Sequence, residues 1–364
     1  MVVTNNMENL NVSDAPLILT LLLTYSCNLR CEFCGQNDIR RQNRKGQNYQ
    51  LTLEQVEKIL DDAYQSGIKN VNLWGGEPLL HPNIFEIIKN VKRRRMRCFM
   101  VTNGVLLEKY ACEIVESKLD YLQISIDAPG IEHDKIRNRS GLFMQIFKGI
   151  KKINDIKRVF PFISTATVLM PQNVNQLDIL ADEVMKMGVG KMFFQLLMAY
   201  KKETIIKYKT MLVEKYGFNA EKITYIDSFE GDGITYEDYC LGSEKLLMAK
   251  RNYNENIIYP DIFNSDGYMY YRMDEGEIPP KITNGCWSIK YKINIQPSGD
   301  VVLCPDFPDF VLGNVFKQSI IEIWNSKKRK LFLKNYLEGK PLPICFQCCQ
   351  LWDKEDFGSW KGTK

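Results

Sequence analysis

Six short apolar runs alternate with segments of helical spacing over the first two hundred residues, and this alternation restricts the fold more than any other feature. The runs are 17–24, 71–74, 98–102, 121–126, 162–168 and 191–197. Each is nearly continuous rather than alternating, so each needs cover on both faces. The intervening helical segments are 52–66, 81–92, 106–117, 140–153 and 174–187. In the first of them Leu53, Val56, Ile59, Leu60 and Ala63 share one face, and Gly67 closes the helix. Strands that alternate with helices form a parallel sheet wrapped by those helices. The expected fold is α/β, a partial (βα)6 TIM-like barrel over residues 1–197. In such sheets the chemistry gathers at the C-terminal ends of the strands.

The rhythm breaks at residue 198. Residues 198–285 are rich in Tyr, Lys, Asp and Glu and carry the turn signals Gly231-Asp232-Gly233, Ser265-Asp266-Gly267 and Pro279-Pro280. They read as an insertion or linker that covers the barrel mouth as a substrate lid. Residues 286–364 read as a small separate module. A chain of 364 residues has room for one large domain and such a module.

The net charge of +4 is too weak to point to nucleic acid, and no such partner is expected. The densest basic run, from Lys92 to Arg97, lies at a helix-to-strand junction and reads as a solvated face. Residues 1–16 are polar and acidic, with no basic segment before the apolar run at Leu17, so they do not resemble a signal peptide. That run is too short to span a bilayer. The expectation is a cytoplasmic protein with no membrane partner.

In a reducing compartment the eleven cysteines are unlikely disulfide partners, and they cluster near the two ends of the chain. Only two histidines are present, His81 and His133, so a metal site here is almost purely thiolate. That suits zinc or iron–sulfur. Cys27, Cys31 and Cys34 follow the first strand. A structural zinc site would want a fourth ligand nearby, and none follows. Three thiolates on a cubane leave one iron open to a substrate or cofactor.

This spacing, with Phe33 before the last cysteine, resembles the signature of the radical S-adenosylmethionine (SAM) superfamily. Gly75-Gly76-Glu77-Pro78, after the second strand, resembles the family's GGEP motif. The resemblance implies that these glycines let backbone approach the methionyl end of SAM, while main-chain groups and Glu77 engage its amino group. Thr102-Asn103-Gly104 ends the third strand, as is frequent in the family. Ser125 and Asp127 stand where relatives contact the SAM ribose, with turn capping as the plainer alternative. Arg137 stands where some relatives bind the SAM carboxylate, with a surface ion pair as its alternative. Gln195 to Leu197 would lie near the adenine. The implied reaction is reductive cleavage of SAM to a 5′-deoxyadenosyl radical that abstracts a hydrogen atom from a substrate. A flavodoxin or ferredoxin would supply the electron.

Cys286, Gly299 and Cys304 resemble the opening of a SPASM domain, as do Leu312 to Val315 and Ile320 to Asn325. Cys345 and Cys348 follow, with Cys349 adjacent and no cysteine beyond it. The shorter twitch form, with one auxiliary [4Fe–4S] cluster on Cys286, Cys304, Cys345 and Cys348, fits this count. Cys349 in place of Cys348, and a zinc ribbon on the same thiolates, remain open. Cys98 and Cys112 read as packing residues, and Cys240 as a candidate hydrogen-atom donor if it reaches the barrel mouth. The leading expectation is a radical SAM oxidoreductase that acts on a small polar or sugar-like molecule and passes the substrate electron to the auxiliary cluster. The alternatives are a ribosomal-peptide maturase or epimerase and, of another class, a non-catalytic iron–sulfur protein.

Overall fold

The computed structural model describes residues 13–36, 49–219, 227, 230–259, 263, 267–273, 275, 286–337 and 341–352, with backbone alone for Trp287, Leu337 and Cys349. The turn signals at 265–266 and 279–280 lie outside these residues. Six strands follow the expected order: β1 (Ile18–Leu22), β2 (Asn70–Trp74), β3 (Arg97–Thr102), β4 (Tyr121–Ser125), β5 (Phe162–Leu169) and β6 (Lys191–Leu196). Each pairs in parallel with the next, from Ile18 opposite Asn70 to Leu169 opposite Leu196. Every residue of β1 is buried, which is why its sequence does not alternate.

The helices between them are α1 (Leu53–Gln65), α2 (Ile84–Arg93), α3 (Ala111–Glu116), α4 (Gly130–Ile136), α5 (Leu142–Ile156) and α6 (Leu177–Lys186). A capping box starts α1. Thr52 Oγ1 accepts from Gln55 N–H at 3.2 Å, and Gln55 Oε1 accepts from Thr52 N–H at 2.8 Å. Loss of the Thr52 side chain would cost about 1 kcal/mol. On the inner face Val56, Ile59 and Leu60 are buried, each worth about 1.5–3 kcal/mol. The helix α2 begins three residues later than expected, because Pro78–Leu80 forms a separate 3₁₀ turn. The helix α4 was not anticipated, since its seven residues are too few to show a period.

Two boundaries shift. Residues 198–285 include α7 (Lys202–Tyr216), α8 (Tyr236–Tyr253) and β7 (Ile257–Ile258). The last of these adds a seventh parallel strand beside β6, with Met192 opposite Ile257. The C-terminal module is not separate from the sheet either. Its β8 (Lys292–Ile295) pairs in parallel with β1, Ile18 opposite Lys292. A hairpin of β9 (Asp300–Val302) and β10 (Val311–Asn314) then continues outward, giving a ten-stranded sheet in the order β10-β9-β8-β1-β2-β3-β4-β5-β6-β7.

The basic run reads as an ion-paired surface. Lys92 pairs with Asp120, Arg93 with Glu86 and Arg94 with Asp61. Among the described residues no helix is long and apolar enough to cross a membrane.

Candidate active site

The chain leaving β1 turns through Leu23–Ser26 and delivers the first three cysteines to the C-terminal end of the sheet. Backbone contacts hold this turn. Gly76 N–H donates to Thr24 O at 2.7 Å, and Glu77 N–H donates to Ser26 O at 2.7 Å. A Cβ on Gly76 would lie 2.2 Å from Ser26 O. Glycine is therefore required for the approach of β2's end to the thiolate loop.

Cys27, Cys31 and Cys34 line one cavity of about 220 Å³. Of the other residues singled out in the sequence, Gly75, Gly76, Glu77, Asn103, Ser125, Arg137 and Leu197 also line it. Pro78, Asp127 and Cys240 are not in its wall. Pro78 opens the 3₁₀ turn instead. Cys240 is exposed on α8, where it bonds to the exposed Tyr236 hydroxyl one turn away. The helix packs its other face on Leu169 and Val174 through Gly242, which turns Cys240 from the barrel mouth.

Asp127 differs from expectation in an informative way. It is fully buried, and its Oδ2 accepts from Arg137 Nε at 2.5 Å. Its Oδ1 accepts from Val168 N–H at 3.1 Å. The carboxylate is thus committed to holding Arg137, whose Nη1 lies 3.8 Å from Cys31 Sγ and whose plane sits over Phe33. Burial opposes the guanidinium charge, but Asp127 and Cys31 outweigh it and keep Arg137 protonated. The ion-pair alternative for Arg137 holds, in buried form, and the pair aims the guanidinium at the cavity.

Glu77 Oε1 accepts from Leu79 N–H and Thr102 Oγ1, and Oε2 accepts from Asn103 N–H at 2.7 Å. These bonds lock the end of β2 to the end of β3. Burial pushes the carboxyl up to about 7, with the three donors opposing. Asn103 Nδ2 donates to Asn28 Oδ1 at 2.8 Å and lies 3.6 Å from Cys27 Sγ.

The donor set fits an iron–sulfur cluster. Burial raises the Cys31 thiol to about 11; Arg137 opposes this, while Cys34, Asp127 and Cys27 add to it. A bound cation removes both the burial cost and the repulsion, because a coordinating thiol loses its proton outright. Among the described residues no three His, Cys, Asp or Glu side chains close on a point that a single ion would fill. The fit therefore rests on three thiols around one cavity with no fourth in its wall.

The second set is assembled from distant segments. Cys286 precedes the helix Trp287–Tyr291, Cys304 follows β9, Cys345 lies within the 3₁₀ turn Pro343–Gln347 and Cys348 ends it. Burial raises the thiols of Cys286, Cys304 and Cys345, and Cys348 adds to the rise in each. Cys348 thus faces the set, while the Cys349 side chain lies outside the described residues. Bonds from the barrel hold this turn in place. Tyr200 Oη donates to Ile344 O at 2.9 Å, and Ala199 N–H donates to Gln347 Oε1 at 3.1 Å.

Two polar cavity residues were not singled out in the sequence. Gln36 and Asp306 both line the cavity, and Asp306 arrives from the C-terminal module. Burial pushes the Asp306 carboxyl up to about 6, with Lys292 opposing. Each stands two residues beyond a cysteine, Cys34 and Cys304, which was the available signal.

A family model described as the radical SAM superfamily matches residues 21–184, and one described as the SPASM iron–sulfur cluster-binding domain matches residues 286–349. A probable GTP 3′,8-cyclase of Methanococcus maripaludis is 30% identical over 169 residues, 46% of this chain and 55% of the relative. The antilisterial bacteriocin subtilosin biosynthesis protein AlbA of Bacillus subtilis is 25% identical over 320 residues, 87% of this chain and 61% of the relative. The chain thus spans little more than half the length of the curated relatives it matches. Among solved structures, Streptococcus suis SuiB bound to its precursor peptide SuiA superposes with a TM-score of 0.64 at 18% identity, over 88% of this chain and 67% of that one. The enzyme anSMEcpe with bound AdoMet and Cp18Cys peptide gives 0.60 at 16%, over 92% of this chain and 88% of that one. At these identities the likeness is one of fold. Two family matches, each enclosing one of the thiol sets, show that this chain carries a radical SAM domain followed by a SPASM domain, the first of a kind that binds SAM and a [4Fe–4S] cluster and the second of a kind that binds auxiliary iron–sulfur.

Proposed function

We propose that this protein is a radical SAM enzyme that modifies a peptide. Cys27, Cys31 and Cys34 hold the SAM-cleaving cluster, and Cys286, Cys304, Cys345 and Cys348 hold one auxiliary cluster. The observation that carries the peptide reading is the match to the bacteriocin biosynthesis relative along 87% of this chain. The cyclase, by contrast, matches less than half of it. A groove of about 580 Å³ beside the cavity, sharing Phe33, Leu197 and Met198 with it, gives a chain segment room to reach the site. Both SuiB and anSMEcpe were solved with peptides bound. The peptide alternative therefore takes precedence over the small polar or sugar-like substrate.

When bound, the cluster supplies the electron that splits SAM into methionine and the hydrogen-abstracting 5′-deoxyadenosyl radical. The chain's own residues bind and orient. Arg137, fixed by Asp127, presents a guanidinium fork to the SAM carboxylate. Glu77 shapes the backbone of the motif and is already committed to three donors. Trp74, Leu197 and Met198 wall the cavity with apolar surface that excludes water from the reacting groups. Cys286, Cys304, Cys345 and Cys348 would hold the auxiliary cluster, which would supply an electron acceptor for a two-electron oxidation. Flavodoxin or ferredoxin fits as the reductant.

Anaerobic incubation of the reconstituted protein with dithionite and SAM tests the chemistry. Formation of 5′-deoxyadenosine and methionine is expected, and its absence would overturn the enzyme reading in favour of a redox or structural protein. Co-expression with short reading frames from the same locus tests the substrate. A peptide that has lost two hydrogens supports the reading. An oxidised sugar-like product beside unchanged peptides would return the small-molecule oxidoreductase to first place.

A further inference from the structure

Unmet acceptors line the route from the groove into the cavity, where the one guanidinium among the described lining residues, Arg137, is already held by Asp127. Gln36 is 8% exposed, and its Oε1 is fully buried in the cavity wall with no hydrogen-bond partner. Asp306 lines the same cavity and accepts no hydrogen bond from a described residue, with Lys292 near enough to act on its charge but not bonded to it in any described contact. An acceptor left dry in a wall costs about 1–3 kcal/mol until a donor meets it. Among the described residues the adjoining groove carries Glu32, Glu132 and Glu230 against one cation, Lys135, which is already 2.7 Å from Glu132. Neither Glu32 nor Glu230 forms an ion pair with a described residue. This acidic lining belongs to a chain whose net charge is +4, so it is a local feature and not a reflection of overall composition.

We infer that the groove and cavity select a peptide segment carrying Lys or Arg, with Glu32 and Glu230 at the rim and Asp306 as the specificity-determining carboxylate inside. This rests on the peptide reading above and adds the class of side chain. Asp306 reaches the cavity on the loop after Cys304, so the C-terminal domain contributes directly to substrate choice. A compact ammonium or guanidinium supplies several donors, enough for both unpartnered acceptors. Asp306 lines the cavity of the first thiol set and acts electrostatically on Cys304 of the second, so a segment held there is close to both.

The test is binding of fluorescein-labelled dodecapeptides to the reconstituted, SAM-loaded protein, read by anisotropy. Alternating Gly/Lys, Gly/Ser and Gly/Glu peptides serve as probes. The Gly/Lys peptide is expected to bind roughly tenfold tighter than the Gly/Ser peptide, with affinity falling as salt rises. Asp306→Asn and the Glu32→Gln/Glu230→Gln pair should each lose roughly fivefold on Gly/Lys alone. Asp306→Glu should recover part of that loss. The SAM dissociation constant, measured by calorimetry on the same variants, should not move, which also shows that they fold. Equal binding of all three peptides would overturn the charge selection while leaving the peptide reading intact. A matching loss of SAM affinity in Asp306→Asn would assign the carboxylate to the cofactor and overturn its role here. Binding of no peptide at all would sink both readings.

Discussion

Replacing Asp127 with Asn separates a positioning role from a ribose contact. Its side chain is fully buried and that of Arg137 is 10% exposed, so the substitution leaves a guanidinium in a dry site with its main counter-charge gone. Breaking a buried pair from one side costs about 3–5 kcal/mol. The lower end applies to the cluster-loaded protein, in which the Cys31 sulfur 3.8 Å away is a thiolate and still offers negative charge. For a chain of this size about 3 kcal/mol corresponds to a melting temperature lower by roughly 4 °C. Arg137→Met strands the other charge and should cost a similar amount. The double variant Asp127→Asn/Arg137→Met removes both charges and should melt several degrees above either single variant, which yields the coupling between them. SAM affinity sorts the roles further. The double variant should regain stability without regaining SAM binding, since the group facing the carboxylate is gone. Anaerobic thermal melts and SAM titration calorimetry are the assays. A ribose contact would weaken SAM binding in Asp127→Asn with little change in melting. That result, or a double variant no more stable than the singles, would refute the reasoning.

Gly76→Ala should be severe. Its Cβ would fall 2.2 Å from Ser26 O, so the thiolate loop must move by about 1 Å at a cost of about 1–3 kcal/mol. Iron content and SAM affinity should both drop, and unchanged values would show the loop to be more yielding than its backbone bonds imply. Glu77 gives a pH signature. Its carboxyl titrates at about 7 when folded, above its unfolded value, so stability is fully present below the unfolded value and is lost as pH rises through 7. Between pH 5.5 and 8.5 this amounts to roughly 2 kcal/mol, at 1.36 kcal/mol per pH unit. Glu77→Gln should flatten that slope in pH-dependent melts, and parallel slopes would contradict it. For the second thiol set, Cys286→Ala/Cys304→Ala should remove about half the iron and sulfide while leaving the first cluster's spectrum in place. Iron sufficient for only one cubane in the unaltered protein would exclude an auxiliary cluster.

The legible parts of this protein are those whose signal is local. Runs such as Ile18–Leu22 announce a strand buried on both faces because five successive positions are apolar. Cys27, Cys31 and Cys34 lie within eight residues, so their convergence needs only one turn of chain. Gly75-Gly76 shows as a tight spot, though the partner that demands it is Ser26 O and not SAM alone.

What only the tertiary structure decided are pairings between distant segments. The sequence contains Asp127 and Arg137 but not their mutual burial, which depends on the short helix α4 folding back over the β4 end. It contains Ile257-Ile258 and Lys292–Ile295, but edge positions beside β6 and β1 are set by sheet register, not by any pattern within four residues. Asp306 enters the cavity because β8 extends the barrel sheet, carrying the loop after Cys304 to the mouth. Periodicity and short spacing are written in windows of ten to twenty residues. Which acidic residue guards a cavity is written in the path of the whole chain, because burial and register are properties of neighbours that the sequence keeps far apart.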